Sequence, residues 1–195
     1  VGFITARDDH TPVIMPFEER SAILAAGRST SNIVRAKQTF LEDSFLGALV
    51  TDRRLAGGGS GSVLGLDGSL RFARNYRLRG QALWSRTAEP NDPAMTQDLV
   101  DELAAEDSSL LHFDDGAHSV AYDGEEFWGQ ALHAGFIRDA RRLNFEAYYD
   151  DAGPTFRADN GFVTSNSTRR ASAWIGWIER PANRFLDNFI PNVNI

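Results

Sequence analysis

Apolar and polar positions alternate with period two along much of this chain, and the alternating runs come in pairs. Across 62–73, Leu64, Leu66, Leu70 and Phe72 share one face with Gly68, while Val63, Gly65, Asp67, Ser69 and Arg71 share the other. Across 76–87, Tyr76, Leu78, Gly80, Ala82 and Trp84 alternate with Arg77, Arg79, Gln81, Leu83 and Ser85. Weaker alternation runs through 31–41, 44–55, 129–139, 143–150 and 171–177. Each run predicts a strand with one apolar and one polar face.

The gaps between these strands are of two kinds. Three are tight: Glu42-Asp43, Arg74-Asn75 and Ala140-Arg141-Arg142. Three are long: a glycine-rich stretch at 56–61, an acidic insertion at 88–128, and 151–168. Tight turns at one end and long loops at the other, around strands of roughly 10 residues, are the pattern of an outer-membrane β-barrel. A soluble up-and-down barrel or a sandwich shows it too. In a soluble protein the apolar face is the core; in a membrane barrel it faces lipid and the charged face lines the interior. Phe72 and Tyr76 at the turn end, with Trp84 near the loop end, match two interfacial rows of aromatics. Glycine and alanine in the strands underfill a soluble core and suit a barrel wall.

Residues 1–6 and 184–195 also read as strands, with Pro181-Ala182-Asn183 as a turn before the second. The count is then nine; 21–28 is a further candidate. Single-chain bacterial membrane barrels use even numbers, so nine strands predict a section of a larger barrel with at least one unpaired edge. The fold class expected is all-β, an antiparallel up-and-down transmembrane barrel or part of one. A single domain over 1–195 carries an acidic extracellular loop insertion at 88–128.

Charge sharpens the division. The formal net charge is −7, yet 87–137 holds 12 acidic residues and no Lys or Arg, leaving 15 acidic and 20 basic residues elsewhere. Lys37 is the one lysine, and arginine's planar fork suits packed ion pairs in a wall or lumen, although a GC-rich genome gives the same bias. There is no cysteine, hence no disulfide or thiolate site. No run reaches the ~20 apolar residues of a membrane helix, so a membrane location must come from strands. The chain starts at Val1 without an apolar leader, as after removal of a leader or within a longer chain.

Several stretches resemble a bacterial family. These are Thr30-Ser31-Asn32-Ile33-Val34-Arg35, Phe45-Leu46-Gly47-Ala48-Leu49-Val50-Thr51-Asp52-Arg53, Val63-Leu64-Gly65-Leu66-Asp67-Gly68-Ser69-Leu70-Arg71 and Ala82-Leu83-Trp84-Ser85-Arg86-Thr87. The most specific is Gly153-Pro154-Thr155-Phe156-Arg157-Ala158-Asp159-Asn160-Gly161-Phe162-Val163. Together, over about 1–177, they resemble domain-of-unknown-function family 5916. The resemblance implies an outer-membrane β-barrel, commonly accompanied by an N-terminal domain resembling family 9 carbohydrate-binding modules. No such module lies in these 195 residues, so no ligand carries over, and the family supplies no catalytic residues. The segment after Gly161-Phe162-Val163, which reads Thr164-Ser165-Asn166-Ser167-Thr168-Arg169-Arg170, departs from the family pattern.

Candidate chemistry is sparse. Asp114 and Asp115, with Gly116 and flanked by His112 and His118, could seat a divalent cation such as calcium through carboxylate oxygens, but they lack the alternating Asp spacing of a calcium loop, and a solvated acidic loop is the favoured account. Asp98, Asp101, Glu102, Glu106 and Asp107 flank Leu99, Leu103 and Leu110 at helical spacing, predicting an amphipathic surface helix; a docking surface for a basic protein partner is the second reading. Asp150-Asp151 is an acidic pair of the type used in glycoside hydrolysis. Gly57-Gly58-Gly59-Ser60-Gly61 lacks the Lys-Ser/Thr of a phosphate loop. The four histidines show no ligand spacing, and arginines dispersed over strands do not form a nucleic-acid footprint. The functional expectation is a non-enzymatic bacterial outer-membrane barrel, in contact with lipid and completed by other strands or subunits. It would serve binding, passage or assembly of an extracellular molecule. A soluble or cell-surface β-domain that binds carbohydrate is the alternative, and a glycoside-type hydrolase the third.

Overall fold

A computed structural model describes residues 1–180 and 189–195. Its main feature is one nine-stranded antiparallel sheet. In spatial order the strands are β1 (Gly2–Asp8), β4 (Ser29–Phe40), β5 (Ser44–Leu55), β6 (Ser60–Phe72), β7 (Tyr76–Ala88), β10 (Glu126–Arg138), β11 (Leu143–Ala152), β12 (Thr168–Trp177) and β13 (Asn192–Asn194). Consecutive strands of the sheet are neighbours throughout, so it is an up-and-down meander. β1 and β13 are its two edges, and no ladder joins them among the described residues. The antiparallel sheet and its nine strands agree with the alternation. Closure into a barrel is not seen among the described residues. The predicted turn at Pro181-Ala182-Asn183 and the first part of the strand at 184–195 lie outside the described residues.

Two of the tight turns hold one residue more than the pattern predicted. Phe40 pairs with Ser44 and Phe72 with Tyr76, leaving three-residue links. Leu41 and Asp43, and Ala73 and Arg74, take positive φ between 45° and 61°. Such a link needs left-handed backbone, and these residues adopt it despite their Cβ atoms.

Register fixes the two faces. Val34, Val50, Leu64, Trp84 and Gln130 fall in one row, whereas Arg35, Leu49, Gly65, Leu83 and Ala131 fall in the row on the opposite face. The apolar face is solvent-exposed: Leu66 is 50% and Leu78 49% accessible. At the turn end of this face Phe72, Tyr76, Phe136 and Phe145 form a continuous aromatic row, with neighbouring ring centroids 5.2–6.0 Å apart. At the loop end charges begin: Arg86 donates to Glu126 at 2.6 Å, and Arg169 to Asp151 at 2.8 Å. Arg71, Arg77 and Arg79 lie on the other face, as the alternation predicts. That face carries the forked Arg35–Asp67 ion pair, one arm of which is 2.7 Å.

The buried core is not under the sheet but at its loop end. Met15, Leu103, Val120 and Tyr122 form it, with Phe17, Leu24, Leu99 and Phe113 packed around. They come from a small hairpin of β2 (Pro12–Pro16) and β3 (Ser21–Ala25), from α1 (Gln97–Glu106), and from the segment around β8 (His112–Phe113) and β9 (His118–Ser119). The acidic insertion is therefore folded rather than an open loop. Leu103 is the inward side of the predicted amphipathic helix. The candidate strand at 21–28 is β3, which pairs with β2 outside the main sheet.

Candidate functional site

The connections β1–β4, β5–β6, β7–β10 and β11–β12 gather at one end of the sheet. The loop between β11 and β12 folds across the polar face. The Thr155 hydroxyl donates to the Trp128 carbonyl at 2.7 Å, the Arg157 amide to Ser85 Oγ at 3.3 Å, and the Asn166 side-chain amide to the Pro154 carbonyl at 2.7 Å. Phe156 is buried at 2% accessibility. The approach is so close that only glycine fits beneath it. A Cβ at Gly129 would collide with the Phe156 backbone, and one at Gly61 with the Asp159 carboxylate.

This loop delivers Arg157 into the acidic insertion. Its guanidinium lies beside the T-shaped pair of Phe127 and Phe113, 4.8 and 5.3 Å from their centroids, and donates to Glu89 Oε1 at 2.6 Å. The two side chains are 5% and 1% accessible. Aromatic faces and a carboxylate together satisfy a guanidinium withdrawn from water. Glu89 follows directly after β7, and its amide donates to the Glu125 carbonyl at 2.9 Å, tying the start of the insertion to its end. Glu89 Oε2 is buried with no hydrogen-bond partner.

Two further carboxylates meet Glu89. One oxygen from each of Glu89, Asp123 and Glu125 lies within 4.8 Å of the others. Glu125 accepts from the Ser119 amide, and His118 Nδ1 is 2.9 Å from its Oε2. Burial pushes Glu89 up to about 7; the Arg157 charge and hydrogen bond oppose this, and the Glu125 and Asp123 charges reinforce it. Burial also raises Asp159, against the pull of Arg157 and Arg53.

The residues singled out by sequence are dispersed. Asp114 and Asp115 sit at φ 54° in the exposed turn between β8 and β9, where they shape a hairpin, and His112 is exposed. His118 turns to Glu125 rather than to them. Asp150 and Asp151 are successive strand residues and so point to opposite faces; Asp150 lies 2.7 Å from His133, and Asp151 accepts from Tyr149 and Arg169. They do not converge as a hydrolytic pair. Glu89 and Asp123 were not legible as a site. Arg157 stood out only inside the 153–163 stretch, which proves to be the loop folded over the polar face.

Toward the turn end the polar face stays open. A cleft of about 710 Å³ is lined by Lys37, Asp67, Ser69, Arg77, Arg79 and His133 among others. No family model matches the chain, and no curated protein or solved structure matches it either. What the fold defines is an antiparallel meander sheet, capped at one end on its polar face.

Proposed function

We propose that this chain forms wall strands of a bacterial outer-membrane β-barrel, serving the binding, passage or assembly of an extracellular molecule. The observation that carries the reading is the chemistry of the exposed apolar face. From Leu64 to Phe72 and from Tyr76 to Trp84 no position on it is charged. Tyr76 to Trp84 is eight residue steps, about 27 Å along a strand and about 20 Å along the membrane normal at a tilt of ~40–45°. That is close to the ~25 Å apolar band of such barrels, and aromatics stand at both margins. Exposed large apolar side chains on this face, from β4, β5, β6, β7, β10 and β12 among others, go far beyond the scattered leucines of a soluble surface.

The gathering of the β1–β4, β5–β6, β7–β10 and β11–β12 connections at one end supports the same reading, since it keeps the carboxylates of 88–128 outside the apolar band. On this proposal β1 and β13 are completed by further strands or by another subunit, because bare edges are not tolerated in lipid. Fractionation tests it. The protein should sediment with outer membranes, need detergent for extraction, and run as a heat-modifiable band. A protein that is monodisperse in buffer without detergent refutes the membrane reading and favours the surface carbohydrate-binding domain.

A further inference from the structure

We propose that Glu89, Asp123 and Glu125 hold a divalent cation of the calcium type, which locks the acidic insertion onto the end of the sheet. Three oxygens from three side chains lie within 4.8 Å of one another. Clustered carboxylates alone mean little on so acidic a segment. The independent observation is Glu89, whose side chain is 1% accessible and whose Oε2 finds no hydrogen-bond donor. A buried carboxylate oxygen without a partner is costly, and a cation shared with two neighbouring carboxylates satisfies it.

The charges agree. Glu89 meets one cation directly, Arg157 at 2.6 Å, while Asp123 and Glu125 bring two further carboxylates to the cluster. Three carboxylates against one guanidinium leave two negative charges, which a divalent ion balances. The donors are all hard oxygens, which selects calcium or magnesium over softer metals. Magnesium dehydrates reluctantly, so a cluster built round a buried carboxylate favours calcium. The outer contacts also fit. Arg157 fixes Glu89 through Oε1, and His118 and the Ser119 amide fix Glu125, as partners behind metal ligands do. Because Glu89 follows β7 and Asp123 and Glu125 precede β10, an ion here joins the two ends of the insertion. This inference stands whether or not the sheet lies in a membrane.

The test is calorimetric titration of the full chain with calcium chloride, magnesium chloride serving as comparison. One saturable calcium per chain is expected, with a Kd on the order of 10⁻⁵–10⁻³ M. Asp123 is exposed, so Asp123→Asn should fold and weaken binding about tenfold or more. The Asp114→Asn/Asp115→Asn variant should bind as the parent does. Folded parent protein without saturable binding overturns the proposal. So does undiminished binding by Asp123→Asn, or loss of binding in the Asp114/Asp115 variant instead. Glu125→Gln is a second probe; if it fails to fold, Asp123→Asn decides alone.

Discussion

Placing a charge on the apolar face at graded depths separates a lipid-facing wall from a soluble surface. Leu66 is the best site. It is 50% accessible, and its strand neighbours in the same row are Ala48 and Ala82, which make no specific contact that substitution would break. The midpoint of the charge-free band on β6 is Gly68, two residues away, so Leu66 lies about 5 Å from the midplane along the normal. Arginine near the midplane of a barrel costs about 2–4 kcal/mol, falling to about 0–1 kcal/mol at the interface. Ser62 is the interfacial control: it shares the Leu66 face but sits beside Asp52, at the charged margin. Gln81 is the control on the polar face. In water, by contrast, replacing an exposed leucine changes stability by only about ±0.5 kcal/mol. Urea unfolding of the full chain from lipid vesicles, followed by tryptophan fluorescence, should rank Leu66→Arg about 2–3 kcal/mol below the parent. Ser62→Arg and Gln81→Arg should fall within about 1 kcal/mol of it. Equal costs for Leu66→Arg and Ser62→Arg would refute the lipid-facing assignment.

Three further outcomes concern the capped end. Gly129→Ala should destabilise by about 1–3 kcal/mol and make 153–161 protease-sensitive, because the new methyl meets Phe156 backbone, which cannot yield as a side-chain tip can; an unchanged digestion pattern contradicts that packing. Arg157→Met should cost about 3–5 kcal/mol by stranding buried Glu89, whereas Glu89→Leu/Arg157→Met should recover most of the loss; additive thermal-melt effects would show that the pair is not coupled. Asp159 is raised by burial from its ordinary value of 3.8, so the native state keeps a proton that the unfolded chain releases. Its contribution to stability is therefore full below that value and is lost as pH rises. Asp159→Asn should gain on the parent from acid toward neutral pH in melts run with chelator, and a gap that does not move with pH speaks against a raised carboxyl.

The strands were legible because period-two alternation is a local property of the chain. Leu64, Leu66, Leu70 and Phe72 fall on one face whatever covers them. Turn lengths were less so, because Leu41 and Ala73 sit at positive φ, which sequence favours for glycine or asparagine. β2 was missed for a physical reason: five residues bounded by Pro12 and Pro16 look unlike a strand, and its partner β3 lies outside the main sheet. The helix was readable from Leu99 and Leu103, but its burial against Met15 joins segments 88 residues apart (103 − 15), which no local pattern encodes. Glu89 was invisible for the same reason. It is one acid among twelve in its segment, and it became distinctive only when Arg157 arrived from the far side of β11.

The side on which the cap sits bears directly on what covers the sheet. An amphipathic sheet in water buries its apolar face, against a second sheet or against helices. This chain has material to spare for that layer: a hairpin, a helix and a long loop lie outside the main sheet. The segment at 153–161 goes to the opposite face, seating Phe156 on Gly129 and the Arg157 amide on Ser85. The polar face is thus partly covered, while Leu64, Leu66, Leu78 and Trp84 keep 41–50% of their surface accessible. A sandwich requires the reverse, and no second layer lies on the apolar face among the described residues. Loops folded inward over a charged interior, with leucines and aromatics left outside, are the arrangement expected when the outer solvent is hydrocarbon. The inversion of faces favours a lipid-facing wall over a soluble domain more strongly than the alternation does, since alternation alone is common to both.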